Sequence, residues 1–227
     1  MSDNEVASFF DEEARNWNRN YEAGGGMLDR ASRFRAALAG RIPAGATLLD
    51  YGSGTGNIAE ALADAGYSVT GVDISGSMIA AARARHGSKI GFRHIAPAGP
   101  LPFASGNFDA AIVSSVLEYV DDPRQILREI GRVLRPSGWL VLTVPDTRHP
   151  LRRREARLSA IVGLPILRHL AGMTRWRRGA SYIQLSKNRL APGQWSELLQ
   201  ECGFAPEPLH TVDTPLLLIA AQNRSLR

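Results

Sequence analysis

The stretch LLDYGSGTGN, residues 48–57, decides how the rest of the chain is read. An apolar run ends in a glycine-rich turn, and the polar NIAEALADAG that follows reads as a helix. Turns of this kind often cradle phosphate, because glycine lets the backbone approach closely and a helix N-terminus attracts anions. The spacing here is different. The glycines are Gly52, Gly54 and Gly56, and Asn57 stands where a dinucleotide fingerprint has its third glycine. Asp50, two residues before Gly52, sets a carboxylate at the strand end, where it would repel a pyrophosphate. That acid suits a ligand with an amine or another cation. A second acid, Asp73 in GVDIS, follows Gly52 by 21 residues, where doubly wound folds use a carboxylate to accept ribose hydroxyls. Together these residues point to a nucleoside carrying little phosphate.

Outward from this turn, short apolar runs alternate with helical patterns. TLLDY, YSVTGVD, KIGFRHI, FDAAIVS and GWLVLTVP read as strands. SGSMIAAARARHG and DPRQILREIGRVLR read as helices, with Ser75 as an N-cap and Pro123 in a first turn. After residue 190 the pattern changes to a helix, PGQWSELLQECG, and two strands near 205–212 and 215–222. Their link is too short for a parallel crossover, so they are expected to pair antiparallel. The expected fold is α/β: a doubly wound, seven-stranded, mostly parallel sheet with its last strand antiparallel. Residues 3–15 and 26–40 read as helices joined by the aromatic and polar NWNRNYEAGGG.

Four segments in this order carry a family likeness: LLDYGSGTGN, GVDISGSMIAAAR, LPFASGNFDAAIVSSVLEYVDDP and LREIGRVLRPSGWLVLTVP. They resemble the class I S-adenosylmethionine-dependent methyltransferases, in the small-molecule, methyltransferase type 11-like branch. The likeness covers roughly residues 46–146, with a weaker echo in the closing strands. It implies S-adenosylmethionine as the methyl donor, a ligand with a sulfonium, an amino-acid head and an adenosine but no phosphate. It further implies that Gly52, Ser53 and Gly54 lie against the methionine and ribose, and that Asp50 helps place the ammonium group. Asp73 would bind the ribose hydroxyls, Ile74 and Met78 would pack on adenine, and the end of strand four at Val113 and Ser114 would face the methionine amine. Pro97 departs from the family, which usually has an acid four positions before LPF; the Ala98 amide is then the contact left for the adenine ring. Tyr21, before the triple glycine, would close over the donor as a lid, and Tyr119 stands where the family often has histidine.

The expected organisation is a single domain: a helical cover at 1–45, the cofactor-binding core at 46–146, a basic acceptor-binding insertion at 147–190, and a closing helix and strand pair at 191–227. The resemblance implies methyl transfer to a small organic acceptor, at oxygen or nitrogen, by in-line displacement. The alternatives are a subunit that binds the donor without catalysis, or a methyltransferase for a lipid-like or acidic acceptor at a membrane surface. A nicotinamide oxidoreductase is disfavoured by Asn57 and by Asp50.

Charge is unevenly spread. Residues 148–178 hold nine arginines and one acid, a formal +8, so the remainder carries −3 of the +5 total. This segment reads as a solvated cover, as a field steering an acidic acceptor, or as an element resting on anionic lipid, a peripheral membrane contact. Nucleic acid is disfavoured, because basic residues are confined to the cover and no RNA-binding module is appended. The single cysteine, Cys202, excludes an intramolecular disulfide and a cysteine metal cluster. The acidic start lacks the pattern of an export signal, and no run is apolar for long enough to span a bilayer, so a cytoplasmic location is expected. For a general base, His149 follows the fifth strand at the carboxyl edge and is the candidate, against the reading of a solvated loop residue in TRHPLRRR. Glu118, in VLEYVDD, either caps and pairs or enters the site.

Overall fold

The strand that ends in the glycine turn lies inside the sheet. In the computed structural model, which describes residues 2–21, 29–162, 185–208 and 214–224, β1 (Thr47–Tyr51) pairs parallel with β2 (Ser68–Asp73) and β4 (Phe108–Ser114). For residues 20, 21 and 158–162 only the backbone is described. β3 (Gly91–His94) extends the sheet beyond β2, and β5 (Leu134–Pro145) lies parallel to β4. β7 (Leu216–Asn223) runs antiparallel to β5 and also to the edge strand β6 (Phe204–Pro206). The order is β3-β2-β1-β4-β5-β7-β6, the doubly wound sheet expected from the sequence. Strand order reverses between β1 and β4, and such a switch point opens a crevice at the carboxyl ends of the strands.

Buried residues alternate across the two faces of the sheet, as the two-residue period of a strand requires. Leu49, Tyr51, Val113, Leu140 and Leu142 pack on one side with α5 (Pro123–Val133) and α7 (Pro192–Glu201), which contribute Ile126, Leu127, Trp195 and Leu199. Leu48, Ala110, Ile112 and Val141 face the other side, against α2 (Asp29–Leu38), α3 (Asn57–Asp64) and α4 (Gly76–His86). Full burial of one such leucine or isoleucine contributes roughly 1.5–3 kcal/mol, which makes this double core the main source of stability. Phe34 and Leu38 of α2 are fully buried there. α2 thus packs into the core through these residues, and α1 (Asp3–Glu13) and the 3-10 turn Trp17–Tyr21 precede it in the N-terminal part.

Helix ends follow local chemistry. Pro123 opens α5 and the Asp122 carboxylate accepts from the Arg124 and Gln125 amides, while Ser75 Oγ accepts from the Met78 amide to cap α4. β5 begins four residues earlier than the sequence suggests, at Leu134 rather than Gly138. A register shift against β4 between Phe108 and Ala110 admits the extra turn, with Ser137 at positive φ. Only Phe204–Pro206 of the expected strand at 205–212 is strand, and residues 209–213 lie outside the described set. The basic segment starts as α6 (Pro150–Val162) and is described again from residue 185. Among the described residues, no helix is long and apolar enough to cross a membrane.

Candidate active site

The glycine turn is pinned from below by β2. The Gly52 and Ser53 amides donate to the Val72 carbonyl at 2.8 and 3.0 Å, which forces the chain back sharply after Tyr51. Gly52 has φ +77°, and a Cβ there would lie 2.2 Å from Val116 Cγ2. Gly56 has φ +82° and is pressed on Phe92 and His86 at 2.6 and 2.9 Å from the same hypothetical atom. Both positions need glycine for conformation and for space. His86 Nε2 lies 3.0 Å from the Thr55 carbonyl and so supports the turn rather than the ligand side.

Asp73 closes the arrangement. Its Oδ2 accepts from the Gly54 amide at 2.8 Å and its Oδ1 from the Ser75 amide at 2.8 Å. Each oxygen keeps a lone pair, and the carboxylate lines the cavity above the turn. Burial pushes its pKa up, and the two amides oppose that shift. Asp50 is 1% exposed and has no hydrogen-bond partner at either oxygen among the described residues. Burial first, and then the Asp73 charge, push its pKa up to about 8. A buried carboxylate without a partner is costly unless it is protonated or meets a cation.

The crevice is a cavity of about 260 Å3. Its floor holds Gly52, Gly54, Asp73, Ile74, Met78 and Ser114, and Pro97 and Ala98 form one flank. Ala98 has φ 51°, and its carbonyl accepts from Gln125 Nε2 at 2.6 Å. Asp3, Val6 and Phe10 of α1 and the Trp17 indole roof it. Asn18 beside that indole accepts from Thr55 Oγ1 at 2.6 Å and from Asn57 Nδ2 at 3.0 Å, which ties the cover to the glycine turn. α1 is clasped to α4 through Asp11, whose Oδ1 accepts from Ser75 Oγ at 2.6 Å and the Ser77 amide at 2.9 Å.

The structure thus brings Gly52, Gly54, Asp73, Ile74, Met78, Ala98 and Ser114 to one cavity. Asp50, Ser53 and Val113 lie beneath its surface, all buried, and Ser53 Oγ has no partner among the described residues. The Tyr21 side chain lies outside the described set. His149 is not among the lining residues; its Nδ1 accepts from the Leu151 amide at 3.3 Å and its backbone amide donates to Asp146, so it belongs to the start of α6.

A different acid faces the cavity. Glu118 is 2% exposed, lines the wall with Tyr119 and Val120, and has no partner for Oε2 among the described residues. Burial pushes its pKa up to about 7, against the pull of Arg152 and Arg30. The loop bearing it is stapled by the returning end of the insertion. The Lys187 and Asn188 amides donate to the Glu118 carbonyl at 2.7 and 3.1 Å. Arg30 and Arg152 also line the cavity. Arg30 gave no signal in the sequence, because it belongs to a helix whose apolar face was the visible feature. Among the described residues no cluster of His, Cys, Asp and Glu is suited to a metal ion.

A switch-point crevice with an acid-clamped glycine turn is the place where doubly wound sheets bind their ligands. Residues 49–142 match the family model described as a methyltransferase domain. A ubiquinone biosynthesis O-methyltransferase from Pseudomonas paraeruginosa is 33% identical over 132 residues, 57% of this chain and 53% of that protein. A demethylmenaquinone methyltransferase from Renibacterium salmoninarum is 36% identical over 147 residues, 64% of this chain and 60% of that protein. The chain therefore spans little more than half the length of the curated relatives it matches. Among solved structures, an S-adenosylmethionine-dependent methyltransferase from Thermotoga maritima has a TM-score of 0.70, at 17% identity over 95% of this chain and 99% of that one. Another from Methanosarcina mazei has a TM-score of 0.64, at 24% identity over 82% of this chain and 96% of that one. At these identities the structural likeness speaks for the fold. Over residues 49–142 this chain is thus similar to methyltransferase domains, and its fold is that of the S-adenosylmethionine-dependent methyltransferases it superposes on.

Proposed function

We propose that this protein transfers the methyl group of S-adenosylmethionine to a small organic acceptor bound beneath α1. The observation that carries the reading is Asp73, which clamps the glycine turn through two backbone amides while keeping lone pairs toward the cavity. The residues fit the donor. Asp73 offers acceptors to a ribose diol, Ile74 and Met78 offer an apolar bed for a base, and the unpartnered Asp50 answers a positively charged head group. Among the described residues, the groups that hold the Gly52, Ser53 and Gly54 amides of the turn are the Val72 carbonyl and the Asp73 carboxylate.

S-adenosylmethionine supplies a methyl group on a sulfonium, whose bond to sulfur breaks with both electrons left on sulfur. The chain's part is alignment and dryness. The roof of Val6, Phe10 and Trp17 excludes water, and the walls hold the acceptor in line, an effect able to supply several kcal/mol of the barrier. The described start of the basic insertion contributes Arg152 to the wall, which supports reading residues 147–190 as the acceptor-side cover.

The names of the two curated relatives favour a hydroxylated or quinone-derived acceptor. Titration calorimetry with S-adenosylmethionine and S-adenosylhomocysteine tests the donor half, and no heat at millimolar ligand would overturn it. Turnover with a panel of hydroxylated aromatics tests the acceptor half.

A further inference from the structure

Two residues of opposite charge line the cavity and make no ion pair with each other among the described residues. Glu118 Oε2 and Arg30 Nε are both buried and both lack a hydrogen-bond partner among the described residues. Arg152 is already engaged: Nε donates to the Pro215 carbonyl at 3.0 Å and Nη1 to Glu155 at 2.7 Å. Glu118 is held in place by its own backbone, through the Lys187 and Asn188 amides. A buried donor and a buried acceptor left open are costly, so a ligand that satisfies both recovers that free energy. Phe10, Trp17, Tyr119 and Val120 line the same cavity, together with the polar Asp3 and Ser115.

Resting on the methyl-transfer reading, we propose that the acceptor is a compact hydroxylated acid. Its hydroxyl donates to Glu118, and its anionic group sits on Arg30. As the methyl carbon is attacked, the hydroxyl proton passes to the Glu118 carboxylate, the oxygen electron pair freed from that O–H forms the new bond to carbon, and the carbon–sulfur bond breaks with its electron pair left on sulfur. Glu118 is thereby the general base and Arg30 the specificity-determining residue. A carboxyl group pushed up to about 7 is ionised in useful amount near neutrality and is basic enough to take the proton. An anion on the guanidinium is a charge-assisted contact, about twice as strong as a neutral one.

The probes are 2-, 3- and 4-hydroxybenzoate and their methyl esters, titrated into the full chain saturated with S-adenosylhomocysteine. At least one acid should bind about tenfold tighter than its ester. Arg30→Gln should remove that preference and Arg30→Lys restore part of it, with affinity for S-adenosylhomocysteine unchanged in both. Glu118→Gln should leave that affinity unchanged and slow turnover of the bound acid by about 10²–10⁴-fold. Esters binding as tightly as acids, binding by none of the six, or a preference that survives Arg30→Gln would each overturn the proposal. A wild-type chain that fails to bind S-adenosylhomocysteine would instead sink the methyl-transfer reading itself.

Discussion

Gly52 and Val116 are packed so closely that a Cβ on the glycine would lie 2.2 Å from Val116 Cγ2. The donor turn after β1 and the loop after β4 are therefore in contact at a point where nothing larger than hydrogen fits. Gly52→Ala adds this clash to the strain of a left-handed backbone, about 1–2 kcal/mol on its own. Affinity for S-adenosylhomocysteine is expected to fall at least about tenfold by calorimetry. The double variant with Val116→Ala should recover only the steric part.

Asp73→Ala leaves the Gly54 and Ser75 amides without their acceptor. The expected result is a loss of about 1–3 kcal/mol of stability per orphaned amide, together with loss of donor binding. Denaturant melts and calorimetry on the same sample measure both. Donor affinity equal to wild type would remove Asp73 from the site.

Asp50 makes stability and binding pH-dependent in opposite senses. Its folded pKa, about 8, is above the ordinary 3.8, so its favourable contribution is complete below about pH 4 and is lost as pH rises toward 8. The free protein should lose stability across that window, by on the order of a few kcal/mol, and Asp50→Asn should flatten the loss. A donor ammonium near the carboxylate draws the proton off. Donor binding should therefore release protons near neutrality and tighten with pH up to about 8, read by calorimetry in buffers of different ionisation enthalpy.

Glu118 sets the expected rate profile. It faces Arg30 of α2 and Arg152 of α6, with Asp3 of α1 and Asp73 of β2 on the same cavity. With its pKa pushed up to about 7, kcat/KM should rise with pH through that value and level off above it. Glu118→Gln should leave a slow residual rate without this rise near pH 7, and an unchanged profile in that variant would dismiss Glu118 as the base.

Asn188 acts on the same loop from outside. Its Nδ2 donates to the Leu117 and Val120 carbonyls at 2.8 Å each, bracketing Glu118 and Tyr119. Asn188→Ala frees both carbonyls and should slow turnover while leaving donor affinity intact. Equal loss of both would mark a general folding defect.

The sheet was legible because the strands read as short apolar runs, and because Gly52, Gly54 and Asp73 hold their places by local backbone geometry. Contacts across the chain were not legible. Arg30 and Glu118 lie 88 residues apart and meet only through the packing of α2 and the β4–α5 loop. His149 drew notice by nearness to a strand end, yet its ring nitrogen serves the first turn of α6, a local competition with no mark in spacing. Likewise α1 and α2 show similar helical periodicity, and only tertiary contact separates a roof from a core wall.

The clasp at Asp11 bears on time rather than affinity. α1 roofs the cavity, and its Asp11 carboxylate grips the first turn of α4. The grip lies at the junction of α1 and α4, in a residue outside the cavity lining, so Asp11→Ala is expected to quicken ligand exchange without altering the site itself.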